Sequence, residues 1–422
     1  MVTRRDFAKQ SAVAVVTFGL GGIGLAPRFL LRAAGAAPAD RRRRVLVAIF
    51  QRGAADGLNI VIPHGDPAYA RLRPRIGIPD PARAAEDRAL DLDGFFAFHP
   101  SLAPLVPLWE RKELACVHAV GSPDTTRSHF DAQDFMEAGT PGVKSTADGW
   151  LNRCLQQGPA PADSSVFRGV ALSPILPRSL QGTATALALP ALEAFDLRGS
   201  TEVRQGFESL YRQAVQDFLG GTGQVTFDAV KRLRSARPTA RPPEHGAVYP
   251  KGRFGDVLRQ TAQLVKADVG LEIAFLETGG WDHHVAEGGA RGQLANRLEE
   301  LGQGLAAFWQ DLGERRGEVV VLTMTEFGRT ARENGNAGTD HGHASVMFVL
   351  GGRVRGGKVY GRWPGLAPEQ LFEGRDLDLT TDFRDLFAEV AVRHLDIPWT
   401  APLFPGYRLR PEAFPGVLPP AA

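Results

Sequence analysis

Four apolar runs in this chain each end in a polar loop, and that repetition restricts the folds open to it. "RVLVAIF" (44–50) leads into "QRGAADGLN" (51–59), and "ELACVHAV" (113–120) leads into "GSPDTTRSHFDAQ" (121–133). Residues 271–276 lead into "ETGGWDHH" (277–284). Residues 318–324 lead into "TEFGRT", a loop that closes on "TDHGHA" (339–344) before a fifth run at 346–350. The first run lacks polar alternation, as expected of a strand covered on both faces. Helical spacing is read at 102–110, 128–139, 253–267, 289–315 and 382–395. Strands alternating with helices predict an α/β fold, a mainly parallel central sheet with helices on both faces. In such folds ligands gather beyond the carboxyl ends of the strands, which is where these loops fall.

The ends of the chain and its charge narrow the setting. Residues 3–9, "TRRDFAK", precede a modestly apolar stretch at 11–31 and then Ala34-Gly35-Ala36. A basic segment, an apolar segment and small residues in that order form an export signal over 1–36. Arg4-Arg5 with Phe7 and Lys9 resembles the twin-arginine type, whose partner is the twin-arginine export machinery, so the expected location is periplasmic or secreted. Glycines 19, 21, 22 and 24 and Pro27 weaken 11–31 as a spanning helix, and no permanent membrane span is expected in the mature chain. Residues 1–36 hold five Lys/Arg and one acid, which leaves 44 basic and 46 acidic residues beyond them. That balance argues against a nucleic-acid partner. Residues 41–422 read as a single α/β domain with a partly helical insertion around 160–250, two polar helices falling at 202–236. Two cysteines, Cys116 and Cys154, exclude a disulfide scaffold but permit one bond.

The loops carry the chemistry. Asp282-His283-His284 follows Gly279 and Gly280, and Asp340-His341-Gly342-His343 lies beyond Glu326; four of the ten histidines fall in these two segments. Carboxylate and imidazole together suit a divalent metal. Helix capping is the plain alternative for His283 or His284, and a polar surface loop the alternative for 340–343. Thr125, Thr126, Ser128 and His129 stand where a chain leaves a strand and opens a helix, a position that favours a nucleophile. Ser128 is equally an N-cap, with Asp131 three residues on. Asp56 is either a metal ligand or the first residue of an Asx turn before Gly57. Arg52 is placed to meet an anionic substrate or is a surface arginine, and Lys358 in "GGKVYG" reads as hairpin.

The motifs "QRGAADGLN", "SHFDAQDFMEAGT", "GGWDHH", "LTMTEFGRTARENGNAGTDHGHAS" and "GGKVYG" together span nearly all of the mature chain. Through them it resembles a large family of exported bacterial proteins known as a domain of unknown function. That family is placed distantly within the alkaline phosphatase and sulfatase superfamily. The resemblance implies an alkaline-phosphatase-like domain with metal at the strand ends and a hydroxyl attacking phosphorus or sulfur. Asp282 with His283 or His284 looks like the mid-chain ligand set, Glu326 stands where an Asp-His pair would follow its strand, and Asp340, His341 or His343 resemble the late ligands. Ser128 or Thr126 would stand near the nucleophile. The sequence departs from the pattern at three places. No acid follows the first strand until Asp56, Phe327 rather than His follows Glu326, and neither cysteine has the sulfatase Cys-x-Pro-Ser-Arg context. Two functions therefore remain open. One is a metal-dependent hydrolase of a small-molecule or polymer phosphate or sulfate ester, using zinc, manganese or calcium. The other is a catalytically reduced metal- or ligand-binding envelope protein of the same fold.

Overall fold

Val45–Gln51 forms the first strand, β1, and its side chains divide strictly by parity. Val45, Val47 and Ile49 enter one core; Leu46, Ala48 and Phe50 enter the other. A strand whose two faces are both dry must lie inside a sheet covered on both sides. The structure is a computed structural model, and it describes residues 44–158, 167–192 and 241–420. The export signal and the two helices read at 202–236 lie outside the described residues.

After β1 the short strands β2 (Val61–Ile62), β3 (Leu90–Asp91) and β4 (Ala97–Phe98) make a separate small sheet. The large sheet continues with β5 (Leu114–Gly121), β6 (Gly169–Ala171), β7 (Ala186–Ala188), β8 (Ile273–Thr278), β9 (Val319–Met324) and β10 (Ser345–Gly351). It is completed by β11 (Lys358–Tyr360) and β12 (Thr381–Asp382). The strand order is β11-β5-β10-β9-β1-β8-β6-β7, with β12 also on β5. β1 runs parallel to β8 and β9, while β10 runs antiparallel to both β9 and β5. All other pairs of this sheet are parallel. The carboxyl ends of β1, β5, β8 and β9 and the amino end of β10 therefore share one edge. This is the mainly parallel α/β architecture expected from the sequence. One detail differs: β11, with Lys358, pairs with β5 rather than forming a hairpin with β10.

The principal helices are α1 (His129–Ala138), α2 (Trp150–Gln157), α3 (Arg253–Lys266), α4 (Gln293–Leu312) and α5 (Phe383–Arg393). Phe254 and Leu258 of α3 pack with Leu298 and Phe308 of α4 on one face. Trp150 and Leu151 of α2 pack with Phe383 and Phe387 of α5 on the other. The helix read at 289–315 is shorter because Gly292 and Gly313, both at positive φ, bound α4. The one read at 102–110 splits into a 3-10 turn, Pro100–Leu105, and a short α segment, Val106–Glu110. Pro104 and Pro107 supply no N–H there, which removes the donors a continuous helix needs. Cys116 and Cys154 lie in opposite cores as free buried thiols, so the bond the sequence permits is not made. Among the described residues no helix is long and apolar enough to cross a membrane.

Candidate metal centre

The loops beyond β1, β8 and β9 are held against one another by backbone contacts before any side chain is considered. Thr339 donates its N–H to the His283 carbonyl over 3.0 Å, and Ala286 and Glu287 donate to Asn336 and Ala337 over 3.0 and 2.9 Å. The 325–344 loop folds back on itself, with Gly328 donating to His343 and Gly342 to Gly328, each over 2.8 Å. A Cβ at Gly338 would strike the backbone of His284, and one at Gly53 would strike Asp282. These two glycines permit the close approach that brings the loops together.

Arg329 fixes that junction. Its side chain is fully buried and donates to the carbonyls of Gly53, Ala54, Trp281 and Thr339 and to Asp282 Oδ1. Burial works to raise the Asp282 carboxyl, but the hydrogen bond and charge of Arg329 outweigh it and hold the group below its ordinary range.

Three histidines close around Asp282. His284 Nε2 lies 3.0 Å and His341 Nε2 3.3 Å from Asp282 Oδ1, and the two ring nitrogens are 2.9 Å apart. His129, the first residue of α1, brings its Nε2 to 3.4 Å from Asp282 Oδ2. His129, Asp282 and His341 each offer an atom within 4.8 Å of the others, as a metal site requires. Donor atoms about 2.0–2.1 Å from a tetrahedral zinc stand roughly 3.3 Å apart, which is the spacing seen here.

The outward nitrogens of these rings bear on what the inward ones are. His129 Nδ1 bonds Glu326 Oε1 over 2.8 Å, His284 Nδ1 bonds Asp340 Oδ1 over 3.2 Å, and His341 Nδ1 bonds the Arg127 carbonyl over 2.8 Å. Each acceptor is a carboxylate or carbonyl oxygen, which favours the Nδ1–H form. In that form His129 Nε2 presents a lone pair, while Nε2 of His284 and of His341 also meet each other and Asp282 Oδ1. His129, Asp282 and His341 form the group whose donors could share one ion, with His284 beside it, and His129 Nε2 is buried with no hydrogen-bond partner. A cation would satisfy that buried nitrogen. The donors fit a divalent metal.

Glu326 is therefore not beside Asp282 as a ligand but behind His129. Its Oε1 also accepts from the Gly53 N–H and Gln133 Nε2, each over 2.9 Å. Burial raises this carboxyl, and the bonds from His129, Gln133 and Gly53 more than offset it, leaving it below the usual range. The same bond raises His129, while burial lowers His341, helped by the neighbouring charges of His129 and Arg329.

Other expected residues fall elsewhere. His343 stacks on Phe372 with ring centroids 4.3 Å apart and is buried, which lowers its pKa. His283 is buried too, its pKa lowered to about 4 by burial and by Arg329. Both carboxylate oxygens of the buried Asp56 bond Arg73, so Asp56 serves neither as ligand nor as the free start of a surface turn. Asp340 reaches the cluster only through His284. Ser128 precedes α1 without capping it through its side chain, and its N–H donates to Thr126 Oγ1 over 3.2 Å. Neither hydroxyl hydrogen-bonds a cluster residue among the described residues. Arg52 is tied to Glu137, Glu277 and Gln133, placing it behind Glu326 rather than in the open site. The sequence gives no sign of Arg329, since a buried arginine and a surface arginine look alike as letters.

The match to known proteins covers the same span as these loops, residues 43–398. The chain belongs to the family described as "Protein of unknown function (DUF1501)". No curated protein matches this DUF1501 chain. Among solved structures it is similar to the PsFucS1 sulfatase from Pseudoalteromonas sp., at 9% identity and a TM-score of 0.37, over 86% of this chain and 69% of the sulfatase. A likeness of that size leaves the centre to stand on its own geometry.

Proposed function

We propose that this protein is an exported metal-dependent hydrolase of a phosphate or sulfate ester. The observation that carries the reading is the convergence of His129, Asp282 and His341, with His284 in contact with both Asp282 and His341. Imidazole and carboxylate donors together suit zinc or manganese better than calcium, which prefers oxygen donors. The side chains of Asp282 and His284 are 43% and 42% exposed, so the donors open to solvent as a catalytic site must rather than closing as a structural one does. When bound, a divalent cation would polarise the ester and stabilise charge developing on the transferring group. Arg329 holds Asp282 in place and keeps it ionised. Glu326 favours the Nδ1–H form of His129, and the Arg127 carbonyl and Asp340 do the same for His341 and His284.

A second reading, a catalytically reduced metal- or ligand-binding envelope protein of the same fold, is favoured by one observation. Among the described residues the Ser128 and Thr126 hydroxyls have no bond into the cluster, so neither is seen activated as a nucleophile. Metal analysis of the purified protein beside a panel of phosphate and sulfate esters separates the two. Stoichiometric metal with metal-dependent hydrolysis supports the enzyme; stoichiometric metal without turnover on any ester supports the second reading. A protein that binds no zinc or manganese loses the enzyme and the metal-binding form of the second reading.

A further inference from the structure

A groove of about 500 Å³ opens beside the centre, and the residues that join the two are already bonded to cluster members. Asp340 lines the groove and bonds His284, while Arg375 lines it and donates to the His341 carbonyl over 2.7 Å. Two more guanidinium groups line the same space, Arg71 and Arg332. Both are exposed, and neither makes an ion pair among the described residues. The remaining acid of the wall, Glu333, is neutralised from outside by Arg75 and accepts the N–H groups of Arg75 and Ile76. Leu366 and Leu371 add apolar lining. A cavity lined by two guanidinium groups without ion pairs and by hydrocarbon side chains suits an organic anion.

We propose that this groove is an anion subsite, and that the ligand of the metal centre carries a second acidic oxyanion beyond the group bound at the metal. The inference rests on the metal-centre reading for its first half only. Arg71 and Arg332 take the second acidic group by charge, and the apolar lining takes the carbon skeleton between the two groups. Because both arginines are exposed, their contact with the ligand is strongest at low ionic strength and weakens as salt screens it.

The test is calorimetric titration of the full mature chain, as purified with its metal, with inositol hexakisphosphate as a multiply charged organic probe. Wild type is expected to bind it at one site. The double variant Arg71→Gln/Arg332→Gln is expected to bind about tenfold more weakly or less, as loss of two partly exposed charge contacts implies, with metal content and melting temperature unchanged. Equal affinity in the two proteins, or no binding by wild type, overturns the subsite. Arginine-dependent binding in a chain that carries no metal keeps the subsite and removes the hydrolase reading, so the two fail separately.

Discussion

His129 bonds Glu326 Oε1 through Nδ1 over 2.8 Å, and Glu326 has no solvent exposure at all. A carboxylate sequestered behind a histidine works on whatever the far nitrogen holds, because it fixes both the ring's orientation and its tautomer. Replacing Glu326 by Gln keeps an oxygen for the Gly53 N–H but removes the charge and the preference for the Nδ1–H form. Metal affinity should fall by about 10- to 100-fold with the fold retained. Titration against a competing chelator measures it, and unchanged affinity would show that Glu326 is only a structural acid.

His341 and His343 differ by two positions in the chain and should differ completely in effect. His341→Ala should abolish stoichiometric metal binding with little change in the metal-free melting temperature. His343→Ala should keep the metal and cost about 1–3 kcal/mol through the lost stack on Phe372. Metal content and urea unfolding of both variants check the pair; metal loss in the His343 variant would put that ring back in the site.

Arg329→Met should be the most damaging substitution near the centre. It leaves four buried carbonyls without their donor and the exposed carboxylate of Asp282 without its guanidinium. A loss of about 1–3 kcal/mol or more is expected, the cost of leaving a buried acceptor unpaired, read from the urea midpoint of the metal-free protein. A shift under 1 kcal/mol (roughly the cost of an exposed ion pair) would mean the loops hold together without it.

Acid should weaken the fold before the carboxylates titrate. His99, His118 and His394 are buried, each bonding a backbone carbonyl through Nε2, and burial lowers each pKa to about 4. Unfolded, each takes a proton near 6.5. Between those values the unfolded chain holds more protons, so stability is full above about pH 6.5 and falls as pH drops towards 4. Each histidine contributes a slope of up to about 1.4 kcal/mol per pH unit. His394→Gln should remove one such share from urea unfolding measured from pH 7 to 4.5; an unaltered slope would count against burial of a neutral ring.

Export can be read from fractionation. Arg4-Arg5→Lys-Lys should leave the precursor in the cytoplasm, since the paired arginines are what the machinery reads. Normal export of that variant would dismiss the signal at 1–36.

The strand ends are legible in the sequence because each apolar run stops at a polar loop, and parallel topology then sends those loops to one edge. His284, His341 and Asp282 are legible for the same reason. Asp56 is not, because its partner Arg73 lies in a stretch with no pattern of its own. The exchange of roles between Glu326 and His129 is equally hidden. Both residues sit beside the site, and only the 2.8 Å bond between them shows which stands in front. His343 misleads because spacing cannot tell a ring that faces solvent from one that faces Phe372.

The connection from Arg329 to the loop after β1 has a temporal side. Its bonds to Gly53 and Ala54 join positions 276 and 275 residues apart, and Asp282 arrives from a third segment. Contacts that distant close late, after the sheet has been threaded in its final order. The donors of the centre therefore do not exist as a set in any short stretch of nascent chain. Unlike a small zinc module, which the ion itself folds, this centre is a product of the finished sheet, and loading should be a step the folded protein performs.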